Sequence, residues 1–254
     1  MERKEHLPMK TFICFVVAVS FLVSAGGLNA KDYKPRIYSS YINGNMAEWE
    51  RVVKEMELSF EKSPANYLSK KELVGYYYGL TGYLVSQKEK KRAAVYVAKG
   101  DAIIESVLSR DPGNALFLAY KAAFMGFKIG INNLRAMTLG MKSADLSSRA
   151  FYLDSTNAQV VSERANVLFY SPSFAGGNKK EAMRLYGKAI ELIEKNGDTL
   201  QNWFYLSLLT NMARLEEQEN NLLKALSLYK KILAIEPRYK WVRNELLPSL
   251  QSRL

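Results

Sequence analysis

Histidine and cysteine are almost missing from this sequence of 254 residues, which contains one of each. Both of them, His6 and Cys14, lie in the N-terminal thirty residues. A zinc site built on Cys and His, a Ser-His-Asp triad and a Cys-His nucleophile pair therefore have no residues to use beyond position 30. A disulfide is excluded there for the same reason. Catalysis by residues 31–254 would depend on carboxylates, lysine, tyrosine or a hard metal held by oxygen ligands.

Long hydrophobic runs are also scarce, and the only extended one is near the N-terminus. Basic residues precede an apolar run from Phe12 to Val23, and small residues follow it as far as Ala30. This layout predicts a secretory signal peptide over residues 1–30, which leaves residues 31–254 as an exported, periplasmic or secreted chain. The alternative is a retained membrane anchor, but the run is short of the roughly 20 residues that span a bilayer.

Acidic residues are outnumbered, with 25 Asp and Glu against 36 Lys and Arg and a formal net charge of +11. Such a surface favours anionic partners, among them nucleic acid, acidic glycans and phospholipid head groups. The basic residues are spread along the chain, and the one dense run, residues 88–92, is interrupted by Glu89. We interpret that run as a solvated helix segment or connection. Because an exported protein meets no cytoplasmic nucleic acid, we expect no nucleic-acid partner, whereas association with the cell envelope stays open.

The segment after Gly176 and Gly177 has lysines that could suggest a phosphate-binding loop. A Walker-type loop would end in Gly-Lys-Ser/Thr, but here Asn178 follows the glycines. Asn178 and Glu181 instead have the spacing of a capping box at the start of a helix. Apolar residues then recur on one helical face, which predicts an amphipathic helix. They are Ala182, Leu185, Tyr186, Ala189, Ile190 and Ile193.

Similar stripes recur along the chain, and equivalent final positions lie 39 to 43 residues apart. These positions are Pro112, Ser155, Glu194 and Pro237. A period in this range is typical of stacked helical hairpins, each of which buries its apolar face against its neighbours.

These stripes resemble the tetratricopeptide repeat family. Ala225 and Tyr229 stand in the small and aromatic positions of the second helix of the repeat, and Asp111-Pro-Gly-Asn-Ala115 is similar to its exit turn. In a first helix predicted from Ala115 to Gly130, Leu118 and Ala122 occupy the large and small packing positions, where two helices cross closely. Val161 with Ala165, in a first helix predicted from Ala158 to Tyr170, and Trp203 with Ser207 repeat that pair. The resemblance covers residues 72–240 and implies an all-α, right-handed solenoid of four to five stacked hairpins plus end caps.

The repeats are longer than those of the family because residues are inserted between first and second helices, at 131–134, 171–175 and 216–220. Either the first helices are longer, or loops at one edge carry function. The sequence also predicts an amphipathic capping helix from Met46 to Phe60 and a closing helix containing Trp241, Leu246, Leu247 and Leu250. Residues 31–40 lack periodicity, and we interpret them as a flexible lead-in.

The resemblance further implies that the first helices line a concave face that binds a partner. Tyrosine combines an apolar ring with a polar tip and suits such a surface. The predicted partner-binding residues are Tyr76, Tyr77, Tyr120, Glu163, Asn166, Tyr170, Tyr205 and Asn211. The lysines and arginines of a carboxylate clamp are missing from these positions, so a chaperone-tail clamp is not expected.

The sequence therefore predicts a non-enzymatic scaffold that binds a protein or peptide and has no catalytic residues, cofactor or metal. One alternative is a periplasmic accessory component of solute uptake that encloses a small ligand, as in a repeat family associated with binding-protein-dependent transporters. A second is a carboxylate-based cell-wall glycosidase, for which Asp145 and Glu163 are candidates. Glu216 and Glu217 are interpreted as ordinary solvated helix surface.

Overall fold

A computed structural model describes residues 32–62 and 64–254. The predicted signal peptide lies outside the described residues and stays a prediction. Within the described ranges there are eleven α-helices and no strands, and the bounds of the helices follow the chain in order. They are α1 Lys34–Asn43, α2 Met46–Glu61, α3 Tyr67–Ser86, α4 Lys90–Leu108, α5 Ala115–Ile131, α6 Ala136–Leu153, α7 Ala158–Tyr170, α8 Lys179–Lys195, α9 Trp203–Gln218, α10 Leu222–Ile235 and α11 Leu247–Gln251.

Asparagine side chains begin most of the central helices. Each accepts a hydrogen bond from a backbone N–H in the first turn, which satisfies a donor that has no partner inside the helix. The residues that cap in this way are Asn45, Asn66, Asn114, Asn157, Asn178 and Asn202. The predicted cap at Asn178 is confirmed by its bond from Glu181 N. The second half of the capping box is wrong, because the Glu181 carboxylate binds Arg184 instead.

Neighbouring helices pack in sequence order as antiparallel hairpins. In the hairpin of α3 and α4, Lys70 Nζ lies 3.0 Å from Ser106 Oγ, while Tyr77 packs on Tyr96 further along. The pairs α5/α6, α7/α8 and α9/α10 pack in the same manner. The prediction of an all-α fold with consecutive helices packed against one another is confirmed.

The first helices of adjacent hairpins run parallel. A Cβ on Gly75 of α3 would lie 3.2 Å from the Tyr120 hydroxyl of α5, and a Cβ on Gly130 of α5 would lie 2.8 Å from Val85 of α3. The residue numbers rise together on both helices, so α3 and α5 point in one direction. Glycine is needed at such positions because the helices approach closely there.

The helix at the N-terminus contradicts the flexible lead-in predicted for residues 31–40. Residues Lys34–Asn43 form α1, whose Ile37 is buried in one hydrophobic cluster and whose Ile42 is buried in a second. The first cluster is built mainly from α2 to α5, and the second from α7 to α11. The helix therefore contacts both clusters, one of which is built from residues remote in sequence.

The three insertions differ in form. Residues Asn133–Arg135 and Ser173–Ala175 are short 3-10 turns, whereas the segment at 216–220 extends α9 as far as Gln218. The prediction that Glu216 and Glu217 are solvated surface is wrong. Glu216 is buried and accepts a hydrogen bond from Asn221, and Glu217 binds the Tyr229 hydroxyl and the Arg253 guanidinium.

The other predicted helices are confirmed with small shifts of boundary. The second hairpin's first helix ends at Ile131 rather than Gly130, the next occupies Ala158–Tyr170 as expected, and the N-terminal one extends to Glu61. The closing helix is split into a π-helical turn, Val242–Leu246, and α11. None of the helices in the described residues is both long and apolar enough to cross a membrane.

Candidate functional site

A polar network joins side chains of α3, α7 and α8. Glu163 and Asn166 stand one turn apart on α7, which begins at the Asn157 cap. Tyr78 reaches them from α3, and Tyr186 reaches them from α8. We call Tyr78, Gln159, Glu163, Asn166 and Tyr186 the inner network.

Both oxygens of the Glu163 carboxyl are hydrogen-bonded. Gln159 Nε2 donates to Oε1 at 2.8 Å, and Asn166 Nδ2 donates to Oε2 at 3.0 Å. Asn166 Nδ2 also lies 3.4 Å from the Tyr78 hydroxyl, while Tyr186 donates its hydroxyl to Asn166 Oδ1 at 2.5 Å. The amide of Asn166 is thus held between two tyrosines and a carboxyl, so its orientation is fixed.

Burial dominates the protonation of Glu163, whose side chain is inside the protein with 2 % of the residue exposed. Desolvation raises its pKa to about 7, although the hydrogen bonds from Asn166, Tyr78 and Gln159 act in the opposite direction. Burial also raises the pKa of Tyr78 well above its usual value, and the negative charge of Glu163 adds to that shift. Near neutral pH the carboxyl can therefore accept or donate a hydrogen bond, and the phenol stays protonated.

Tyr120 of α5 extends this site toward the second hairpin. Its ring lies 6.0 Å from that of Tyr78, and its pKa is raised first by burial and then by the charge of Glu163. Of the predicted binding residues, the structure therefore brings Tyr120, Glu163 and Asn166 together. Tyr78 and Tyr186 were not predicted: the first was one of three consecutive tyrosines, and the second was assigned to the packing stripe of α8.

Three of the predicted tyrosines are buried elsewhere, with their hydroxyls on carboxylates. Tyr76 donates to Glu72, Tyr77 to Glu57 and Tyr205 to Glu194. Each of these bonds consumes the polar tip that was expected to face a partner. Of the remaining two, Tyr170 is exposed at the end of α7, where it packs edge-on against Phe169, and Asn211 is exposed on α9.

Aromatic rings fill the space where α1 and α2 meet α9. Trp49 packs edge-on to Trp203 of α9, and Tyr41 of α1 contacts both rings. Tyr239 stacks on Tyr41 from the C-terminal side, with ring centroids 5.2 Å apart. A ligand in this region would have to displace these rings.

The paired carboxylates considered for hydrolysis have different environments. Glu163 is buried in the inner network, whereas Asp145 is exposed on α6. In the part of the chain that the structure describes, no group of three or more acidic, histidine or cysteine side chains is arranged to hold a metal ion.

A surface cavity of about 320 Å³ lies between α1 and the end of α10. Tyr38 and Ile42 form one wall, and Leu200, Glu236 and Arg238 are among the residues opposite. Glu236 accepts hydrogen bonds from Tyr38 and from Arg238, so its charge is already compensated. None of the residues that line this cavity belongs to the inner network.

Comparison of the sequence with protein-family models and with characterised proteins gives no match in either case.

Proposed function

We propose that this chain is an exported, non-enzymatic scaffold of the tetratricopeptide type that binds a protein or peptide on the face of its first helices. The observation that carries the proposal is the inner network, which joins side chains of α3, α7 and α8 around a buried carboxyl. A right-handed stacking of the hairpins is part of this proposal. The order in which consecutive helices pack and the parallel course of α3 and α5 support the stacking of the hairpins.

The chemistry of the network suits an uncharged polar partner. Because the pKa of Glu163 is about 7, a large fraction of its carboxyl is uncharged near neutral pH, and a bound peptide group can exchange hydrogen bonds with Asn166 and Tyr78. Both Asn166 and Tyr78 are half-buried, which leaves part of each side chain within reach of a partner. Peptide groups supply a donor and an acceptor at every residue, and an extended segment could use both.

Site-specific photocrosslinking tests the proposal. A photoreactive phenylalanine derivative replaces Tyr78 in the full chain, and the same residue replaces the exposed Tyr152 of α6 as a control. We expect a discrete protein adduct from cell-envelope material at position 78 and none at 152. Substitution Asn166→Ala, combined with the crosslinker at 78, should reduce the adduct while helical content stays unchanged.

The proposal is wrong if positions 78 and 152 give the same adducts, or if position 78 gives none.

The solute-uptake alternative would take a small ligand in the cavity near Tyr38 and Arg238. It predicts thermal stabilisation by a low-molecular-mass fraction that Arg238→Ala abolishes and Asn166→Ala does not. That pattern would favour the alternative over the scaffold.

A further inference from the structure

Four large apolar side chains project into solvent where the second and third hairpins turn from first to second helix. The exposed fraction is 78 % for Leu134, 90 % for Met137, 80 % for Met141 and 94 % for Phe174. Leu134, Met137 and Met141 follow one another at three and four residues, so they share one face at the start of α6. Exposed apolar groups that cluster in this way mark interaction surfaces.

The two turns lie at the same edge of the helical layer. Ser143 of α6 donates to Ala122 O of α5, and Tyr186 of α8 donates to Asn166 of α7. In each hairpin, the turn that joins the two helices lies beyond these bonds, where the first helix ends and the second begins. Because consecutive helices alternate in direction, α5 and α7 end on the same side. Adjacent helices are about 10 Å apart, so the two turns are near neighbours.

The basic run at residues 88–92 belongs to this edge as well. It joins α3 to α4, and α3 runs parallel to α5. We define the connection edge as residues 87–92, 132–142 and 171–181.

Charge on these three segments is mostly positive, and the acidic Glu219 of the neighbouring α9–α10 turn contacts them through Lys179. Its basic residues are Lys88, Lys90, Lys91, Arg92, Arg135, Lys142, Lys179 and Lys180. Its acidic residues are Glu89 and Glu181, which are already paired with Arg92 and Arg184. Lys179 also has a partner, Glu219, whereas Arg135, Lys142 and Lys180 form no ion pair within the described residues. The surplus positive charge therefore surrounds the four apolar side chains.

The opposite edge provides a contrast. Tyr152 and Leu200 are exposed there to a similar degree. Asp154 and Asp198 stand close to them in sequence, and Asp198 pairs with Lys34. Exposed apolar side chains are thus found at both edges. Of the two, only the connection edge also carries an excess of positive charge.

We propose that the connection edge docks on an anionic phospholipid bilayer. Leu134, Met137, Met141 and Phe174 would enter the boundary between head groups and acyl chains. The lysines and arginines around them would remain at the level of the phosphates, with their aliphatic stems in the apolar layer. Anionic lipid attracts each such cation, so apolar insertion and charge act in the same direction. A soluble acidic protein would match the charge, but it would not require four separate apolar tips at the level of the turns.

This docking surface is independent of the inner network. The connection edge consists of turns and helix starts, whereas the inner network is formed by side chains within the helices. Failure of one proposal would leave the other standing.

The test measures insertion at single positions in the full chain. In a Cys14→Ser background, Met137→Cys and Tyr152→Cys each receive an environment-sensitive fluorophore, so that any contribution of the N-terminal segment is common to both. Vesicles of phosphatidylethanolamine and phosphatidylglycerol are compared with vesicles of phosphatidylcholine. We expect a blue shift and increased emission at position 137 on the anionic vesicles only, and no change at position 152.

Unlabelled variants then separate the two contributions. In a co-flotation assay, Leu134→Ser/Met137→Ser/Met141→Ser and Arg135→Gln/Lys142→Gln/Lys180→Gln should each lower the partition coefficient about ten-fold or more. The control Tyr152→Ser/Leu200→Ser should leave it within about two-fold, since its side chains are on the other edge. All of these side chains are exposed, and far-ultraviolet circular dichroism should be unchanged.

Three results would overturn the proposal. The first is an equal response at positions 137 and 152, and the second is equal binding to phosphatidylcholine. The third is a response at 137 that depends on protein concentration without lipid, which would assign the edge to self-association instead.

Discussion

Trp49 and Trp203 are 154 positions apart in the sequence, yet their rings meet edge to face with centroids 5.0 Å apart. The indole N–H of Trp49 donates to Tyr76 O at 3.2 Å, which fixes the orientation of that ring. Gly79 of α3 lies directly against both indoles, and its missing side chain makes room for them. The contact holds α2 and α3 against α9.

Substitution Gly79→Ala should destabilise the protein. An added Cβ would lie 2.8 Å from the Trp49 ring and 2.9 Å from the Trp203 ring, closer than carbon atoms approach without strain. Overpacking of this kind costs about 1–3 kcal/mol, and the better helix propensity of alanine offsets roughly 0.5–1 kcal/mol of it. Urea denaturation should therefore show a lower free energy of unfolding.

Gly187→Ala is the matched control for that measurement. Gly187 is also inside a helix, α8, but a Cβ there would meet nothing within 4 Å. The substitution should stabilise by about 0.5–1 kcal/mol. If both variants gained stability, the inference that Gly79 has no room for a Cβ would be wrong.

Thr81→Val should stabilise the protein. The Thr81 hydroxyl is buried on α3 and has no hydrogen-bond partner in the described residues, so removing it relieves a desolvation cost. Mutational data for such groups suggest a gain of about 1 kcal/mol. The buried Thr210 has a hydroxyl that donates to Leu206 O at 2.7 Å. Thr210→Val should therefore lower the free energy of unfolding by a comparable amount. Equal effects at the two positions in thermal unfolding would contradict this assignment.

Glu163→Gln should change the dependence of stability on pH. Because burial raises the folded-state pKa to about 7 from the ordinary 4.5, the folded protein binds a proton that the unfolded chain releases between these values. The contribution of this group to wild-type stability should thus be greatest below pH 4.5. It should fall as the pH rises to 7, by at most about 3 kcal/mol. The glutamine variant should match the wild type near pH 4.5 and exceed it near pH 8.

Glu48→Gln is the control with the opposite sign. Hydrogen bonds from Arg51 and Arg36 hold the pKa of Glu48 below its usual value. Its stabilising contribution is present above that usual value and is lost as the pH falls below it, so the substitution should weaken the protein at neutral pH. Parallel pH profiles for the wild type and Glu163→Gln would refute the raised pKa of Glu163.

Ile42→Ala tests whether α1 is an integral part of the fold. Ile42 is buried in the cluster formed by the C-terminal hairpins, and truncation of such a side chain costs about 2–5 kcal/mol. Ser39→Ala, at an exposed position on the same helix, should change stability by less than about 0.5 kcal/mol. If α1 were only loosely attached to the hairpins, both substitutions would be silent.

Local signals predicted the central helices well, because capping and periodicity operate within a few residues. Asn157 and the Ser171-Pro172 pair bound α7 on either side, and the predicted helix has the observed ends. Remote contacts could not be predicted in this way. Part of the surface that buries α1 lies more than 150 residues away in sequence, as the bond from Tyr38 to Glu236 illustrates.

The candidate site was predicted only in part for a related reason. Glu163 and Asn166 stand out as polar residues on a first helix, but the sequence does not reveal that Tyr76 and Tyr205 point into packing while Tyr78 reaches the inner network. Adjacent helical residues differ in direction by about a quarter turn, so three consecutive tyrosines cannot share a role. Which one faces the network depends on how α3 rotates against α5.

The position of α1 also affects how the protein is made. This helix leaves the ribosome before any other described element, but Tyr41 contacts Trp203 and Tyr239, which are synthesised about 160 and 200 residues later. Hairpins such as α3/α4 can form as they emerge, since their contacts are local. The nascent chain therefore acquires this contact only after Trp203 and Tyr239 have left the ribosome, when α1 can dock on them.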